Sequence, residues 1–311
     1  MPSGMGKACN NAMCGEGQWT ATDGACRDTR EFVMITIVTA FFDIGRNDWV
    51  KFARSVDLYF RNFERLCLLA NPIILFTESK HRERVARLQA KKPNLVVYYE
   101  DDLFDRHAEL LNAIRNVQQS PAYQQGILDP NCPEYFEPKY VLVNYLKAQF
   151  CVSAIQQQGL DSGLVAWIDF GYLKKKRQLP ISLRWDFEFE DKIHMYSLLP
   201  ISGDIDITKT VKENVVYIQG CHIVAPAQQW PLMSRLMENS IDQLFKQGLT
   251  DDDQSMLLLA YLQSPENFVI HEADVTTRAG CFFIFKKYNK FERQIGLGDR
   301  LKYAARTLLL G

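Results

Sequence analysis

The chain has 311 residues, 47% of them hydrophobic and 12% aromatic, with 36 Lys and Arg against 37 Asp and Glu and a formal net charge of −1. That composition is globular and excludes collagenous, disordered and repeat-biased classes, while the near-neutral charge argues against a protein that coats nucleic acid. The longest apolar runs, at 35–42 and 256–262, are far shorter than the roughly 20 residues of a membrane-spanning helix, and the first residues lack the apolar stretch of a signal peptide, so a cytoplasmic location is expected.

Residues 1–31 are rich in Gly, Asn, Thr, Asp and Cys without hydrophobic period and read as a flexible head. Gly4-Met5-Gly6 and Gly15-Glu16-Gly17 do not follow a strand, so neither is a dinucleotide loop. Cys9, Cys14 and Cys26 lack C-x-x-C spacing, so no zinc site is indicated. Cys67, Cys151, Cys221 and Cys281 sit in apolar runs and read as reduced core residues.

The β-branched run from Val33 to Ala40 is apolar on both faces, the pattern of a parallel strand covered by helices. Phe52, Val56, Tyr59, Phe60 and Phe63 recur at spacings of three and four and predict a helix over 49–63. A strand at 72–77, a helix at 81–90 and a strand at 94–99 follow. This alternation predicts a βαβ sheet. Residues 101–137 are polar, and Pro121, Pro130, Pro133 and Pro138 predict an inserted loop with a helix near 106–118. One helix is expected over 139–157, ended by Gly159, and then a strand at 164–168. Strands at 192–199 and 215–224, helices at 226–247 and 251–262, and a strand at 267–271 complete a mixed sheet. The expected fold is α/β: a Rossmann-like, mostly parallel mixed sheet flanked by helices, in a single domain over 32–285. From 286 onward a basic segment carries seven Lys and Arg against Glu292 and Asp299, a local charge of 7 − 2 = +5.

Ligands of open parallel sheets bind beyond the carboxyl ends of the strands. Three polar groups stand there. Thr39-Ala40-Phe41-Phe42-Asp43-Ile44-Gly45-Arg46 leaves the first strand; Asp43 suits a hydroxyl or base, and Arg46 a forked phosphate contact. Alternatively, Asp43 and Gly45 only make a turn. Trp167-Ile168-Asp169-Phe170-Gly171 delivers Asp169 to a strand end, where a carboxylate can hold a divalent cation. The run Lys174-Lys175-Lys176-Arg177 behind it reads as a solvated face. Thr250-Asp251-Asp252-Asp253 opens a helix, as a cap or as the source of a general base. His271, followed by Glu272 and Asp274, is a candidate late metal ligand or a surface histidine. His222 and Trp230 read as core. Signatures of P-loop hydrolysis, of the α/β-hydrolase elbow and of zincin proteolysis are missing.

At Ile35-Thr36-Ile37-Val38-Thr39-Ala40-Phe41-Phe42-Asp43-Ile44-Gly45-Arg46, Asn71-Pro72-Ile73-Ile74-Leu75-Phe76 and Trp167-Ile168-Asp169-Phe170-Gly171-Tyr172, the chain resembles the HtrL/YibB family over about residues 33–285. That resemblance implies a link to lipopolysaccharide core assembly and so to polysaccharide biosynthesis. The W-I-D-x-G strand end, preceded by Lys147 in Tyr145-Leu146-Lys147-Ala148-Gln149-Phe150, is also similar to the glycosyltransferase type A (GT-A) fold.

The GT-A resemblance implies a sugar nucleotide as substrate, a glycan or glycolipid as acceptor, and a divalent cation, Mn²⁺ or Mg²⁺. It implies nucleoside contacts at Thr39, Ala40 and Asp43, phosphate contacts at Arg46 and Lys147, and Asp169 as the remaining acid of a D-x-D whose second acid is here Gly171. Asp252 or Asp253 is then the base. Either His271 completes the metal shell, or the metal is dispensable. A glycosyltransferase is expected; a non-catalytic nucleotide- or glycan-binding module and a nucleotidyltransferase are the alternatives. The basic C-terminal segment suggests peripheral contact with an anionic membrane.

Overall fold

The computed structural model describes residues 34–272 and 284–290. The expected head at 1–31, with Cys9, Cys14 and Cys26, lies outside the described residues, as do Cys281 and the basic segment beyond 290. Among the described residues no helix is long and apolar enough to cross a membrane.

Seven strands form one sheet: β1 (Thr36–Phe41), β2 (Ile73–Thr77), β3 (Leu95–Tyr99), β4 (Leu164–Ile168), β5 (Ile193–Ser197), β6 (His222–Pro226) and β7 (Phe268–Glu272), in the order β3-β2-β1-β4-β6-β5-β7. Neighbours are parallel across β3-β2-β1-β4 and between β5 and β7, and β6 runs antiparallel to β4 and β5. The expected mixed, mostly parallel α/β sheet is what forms.

All six residues of β1 are buried. Successive side chains of a strand point to opposite faces, so Val38 and Ala40 enter one core layer while Ile37 and Phe41 enter the other. The first layer is closed by α4 (Ala108–Gln119), α6 (Pro138–Tyr145), α7 (Lys147–Gln158), α9 (Trp230–Lys246) and α10 (Asp253–Gln263), which supply Ile114, Val141, Phe150, Met233 and Leu257. The second is closed by α1 (Val56–Leu66) and α2 (Arg82–Gln89), with Trp185 and, from α11 (Ile284–Lys287), Phe285. Cys151 is buried, whereas Cys67 and Cys221 are only half-buried.

Four expectations about elements are corrected. The first helix starts at Val56, not Trp49. Ser55 caps it by accepting the N–H of Leu58 (3.1 Å), and Phe52 has a φ of 59°, which a helix does not admit. The polar stretch after β3 contains the expected helix, α4, but is helical on either side of it as well, in α3 (Leu103–Arg106) and α5 (Pro121–Gln124). Pro121, Pro133 and Pro138 stand at the first turns of α5, a 3₁₀ turn and α6, where the missing N–H costs nothing.

The single helix expected over 139–157 is two, parted at Leu146. Tertiary bonds hold both sides of the break: Tyr145 Oη meets Thr250 Oγ1 at 2.9 Å, and Lys147 reaches Asp253. The strand expected from Val215 is delayed to His222. Between β5 and β6 lie the short α8 (Ile207–Lys212) and a segment that touches β5 through one isolated bridge, Ser197 to Ile218.

Candidate functional site

β1 and β4 are adjacent and parallel, so their carboxyl ends open at the same edge of the sheet. A cavity of about 290 Å³ lies there. It is lined by Ala40, Asp43 and Arg46 from the exit of β1, by Trp167, Asp169 and Gly171 from β4 and its exit, and by Lys147 from α7. This is the place where open parallel sheets bind ligands.

The exit of β1 is a tight turn. Asp43 donates its N–H to Glu78 Oε2 (2.7 Å), its Oδ1 accepts the N–H of Gly45 (3.1 Å), and Lys80 stands 3.5 Å from its other oxygen. Gly45 has φ +75°, a left-handed conformation that glycine adopts without strain. The turn role and the cavity-wall role of Asp43 coexist. Arg46 donates to Tyr59 Oη (2.9 Å) and to the Phe52 carbonyl (3.0 Å), and its guanidinium lies over the rings of Trp49 (5.1 Å) and Tyr140 (5.6 Å). The fork is therefore oriented before any ligand arrives.

Lys147 joins the cavity to the acidic helix start. It is 2% exposed. Its Nζ lies 3.0 Å from Asp169 Oδ1, donates to the Gly220 carbonyl (3.0 Å) and pairs with Asp253. Burial opposes the ammonium charge, but the carboxylates of Asp169 and Asp253 outweigh it and push the lysine pKa up. Asp169 Oδ1 also accepts the indole N–H of Trp167 (2.8 Å), while 38% of its side chain stays exposed. A Cβ at Gly220 would fall 1.9 Å from Asp253 Oδ2, so only glycine fits beside this pair. At Gly171 a Cβ would meet the Tyr59 ring at 3.0 Å.

Asp252 and Asp253, the expected candidate bases, do not line the cavity. Asp252 caps α10 by accepting the N–H of Gln254 (3.0 Å), and Asp253 is 4% exposed and turned to Lys147. Burial pushes Asp251 up to about 7, and burial together with the charges of Asp253 and Asp251 raises Asp252 well above the carboxylate range. Thr39 is fully buried in β1 and does not reach the cavity; its hydroxyl has no hydrogen-bond partner.

His271 is the clearest correction. It belongs to β7, separated from β4 by β6 and β5, on the order of 14 Å at the usual strand spacing. Its Nε2 is taken by His194 Nδ1 at 2.8 Å. It cannot complete a metal shell at Asp169. Among the described residues, no three His, Cys, Asp or Glu side chains converge to hold a metal ion. The donor set at Asp169 does not fit a divalent cation either: the second acid position is Gly171, and an ammonium lies between Asp169 and the neighbouring carboxylate, Asp253.

Arg54, Lys174, Tyr59, Tyr140 and Asn144 also line the cavity and were not among the expected site residues. Tyr140, Val143, Asn144 and Lys147 are spaced i, i+3, i+4, i+7, a stripe visible in the sequence and continued across the break at Leu146. No local signal pointed to Gly220.

Residues 33–288 match the sequence profile described as "Bacterial protein of unknown function (HtrL_YibB)". "Protein HtrL" of Escherichia coli (strain K12) is 35% identical over 247 residues, which cover 75% of this chain and 86% of that protein. Among solved structures, mouse xyloside xylosyltransferase 1 in its apo form aligns over 85% of this chain and 95% of its own, at 14% identity and a TM-score of 0.40. That likeness is too distant to carry an argument.

Proposed function

Since the chain belongs to the HtrL_YibB family, we propose, from the cavity that its family-matching segments line, that it is a glycosyltransferase moving a sugar from a nucleoside-diphosphate sugar to a hydroxyl of a glycan or glycolipid. The observation that supports this reading is the charge and place of the cavity. Arg46, Arg54, Lys147 and Lys174 stand there against Asp43 and Asp169, among aromatic walls, at the carboxyl ends of two parallel strands. Its volume is close to the lower bound of small-molecule sites, roughly 300 Å³.

In such a transfer the bond from the sugar C1 to the diphosphate oxygen breaks, and the acceptor hydroxyl oxygen bonds to C1. The diphosphate leaves with the growing negative charge, and the hydroxyl proton needs a base. Arg46, already oriented by Tyr59 and Phe52, would hold the diphosphate, helped by Arg54 and Lys174. Asp43 would contact the nucleoside. With Asp252 and Asp253 turned inward, Asp169 is the carboxylate proposed to meet the acceptor hydroxyl. Lys147 would hold it in place.

A screen of sugar nucleotides, read by thermal shift and by release of nucleoside diphosphate, tests the reading. A ligand at 100 times its Kd raises stability by about 2.7 kcal/mol. Asp169→Asn is expected to keep the fold and abolish transfer; a fully active variant removes the assignment. A second reading, a non-catalytic binding module, is favoured by the inward turn of Asp252 and Asp253. It gives a thermal shift without turnover. The basic segment from Lys286 is proposed to touch an anionic membrane at about 1 kcal/mol per basic residue. Salt-insensitive pelleting with anionic vesicles would refute that contact.

A further inference from the structure

We propose that this cavity takes its diphosphate-bearing ligand without a divalent cation, the ammonium of Lys147 being its resident cation. The inference rests on the reading above for the identity of the anion; the part that concerns the metal stands on geometry alone.

An ammonium has three hydrogens, and Lys147 faces three oxygens: Asp169 Oδ1 at 3.0 Å, the Gly220 carbonyl at 3.0 Å and the Asp253 carboxylate. Its donors are used, so it is a fixed charge and not a mobile arm. The oxygens that a metal would need are the ones it already holds. Oδ1 of Asp169 is shared further with the Trp167 indole N–H at 2.8 Å. A hard divalent cation asks for about six oxygen ligands. Here the neighbouring strand-exit position is Gly171, and the other carboxylate, Asp253, is enclosed behind the lysine.

The protein also keeps the lysine where it is. Gly220 supplies a backbone carbonyl and leaves room for Asp253 where any side chain would collide with it. The ligand's negative charge is then met by Arg46 at the mouth, fixed by Tyr59 and stacked over Trp49 and Tyr140.

Two measurements on the full-length protein test this. In the first, the ligand-free wild type is titrated with Mn²⁺, and free Mn²⁺ is followed by electron paramagnetic resonance. Wild type and Asp169→Asn are expected to give the same curve, and uptake that Asp169→Asn abolishes overturns the inference. In the second, thermal shifts with UDP, GDP, CDP and ADP are compared in EDTA and in Mn²⁺. An equal shift in both is expected; a shift confined to Mn²⁺ overturns the inference. If none of the four shifts the protein in either buffer, the proposed function fails, and the Mn²⁺ titration still decides whether Asp169 holds a metal.

Discussion

Two groups of titratable side chains on the sheet treat charge in opposite ways. At the ends of β1 and β4, Lys147 sits between Asp169 and Asp253, and the group borders an open cavity. At the β5–β7 edge, His194 and His271 share a 2.8 Å contact and stack with ring centroids 5.1 Å apart. Tyr196 lies 4.9 Å from the His271 ring and 4.2 Å from that of the buried His222. Burial pushes His222 down to about 3 and His271 down to about 4, so both rings are neutral at physiological pH. In the first region the carboxylate partners hold the Lys147 ammonium charged; in the second, desolvation takes the charge from the histidines. Residue type alone does not separate a reactive site from packing, because the neighbours set the protonation state.

Removing the central cation is the harshest way to break this contrast. Lys147→Met leaves Asp253 buried and uncompensated and is expected to lower stability by about 3–5 kcal/mol, read from the urea midpoint. A loss below about 1 kcal/mol is what an exposed pair would give and would erase the difference between the two regions. Gly220→Ala comes next. Its new methyl group collides with Asp253 and is expected to cost about 1–3 kcal/mol, with the same readout.

The pH response sharpens the contrast, since the two regions carry opposite signs. Folded His222 and His271 resist protonation down to about 3 and about 4, whereas the unfolded chain binds those protons near the ordinary value of 6.5. Their contribution is complete above about 6.5 and is lost as pH falls, by about 1.4 kcal/mol per pH unit per histidine. Folded Asp251 keeps its proton up to about 7, against an ordinary value of 3.8. Its contribution is complete below 3.8 and is lost as pH rises towards 7. His271→Phe is thus expected to flatten the fall between pH 6.5 and 4, and Asp251→Asn to raise stability at pH 8 relative to pH 5. Thermal denaturation across that range checks both, and matching slopes in the two variants would refute the distinction. The smallest effect is on ligand binding: His271→Phe is expected to leave any nucleotide-induced thermal shift unchanged, because its side chain is absent from the cavity lining and β5 and β6 stand between its strand and β4.

Much of the frame could be read along the chain. β1 and β4 are so uniformly apolar that both faces had to be covered, and Asp169 and Asp43 were placed at strand ends by position alone. The prolines of 121–138 misled, because the same residue that marks a loop also starts a helix. The break at Leu146 carries no Gly or Pro, and the residues on either side of it bond to partners about a hundred positions away.

Legible from residues 34–272 alone, then, were a covered parallel sheet and a carboxylate at its rim, because burial on both faces and the end of an apolar run are local properties. What only folding settled is which charges meet. Lys147 and Asp253 are 106 positions apart and Lys147 and Gly220 are 73 apart, and no short pattern records either pairing. The same holds for the acids read as bases and for His271. Whether each faces a cavity, a cation or an aromatic ring follows from strand order and helix packing, and that environment sets the charge each one carries.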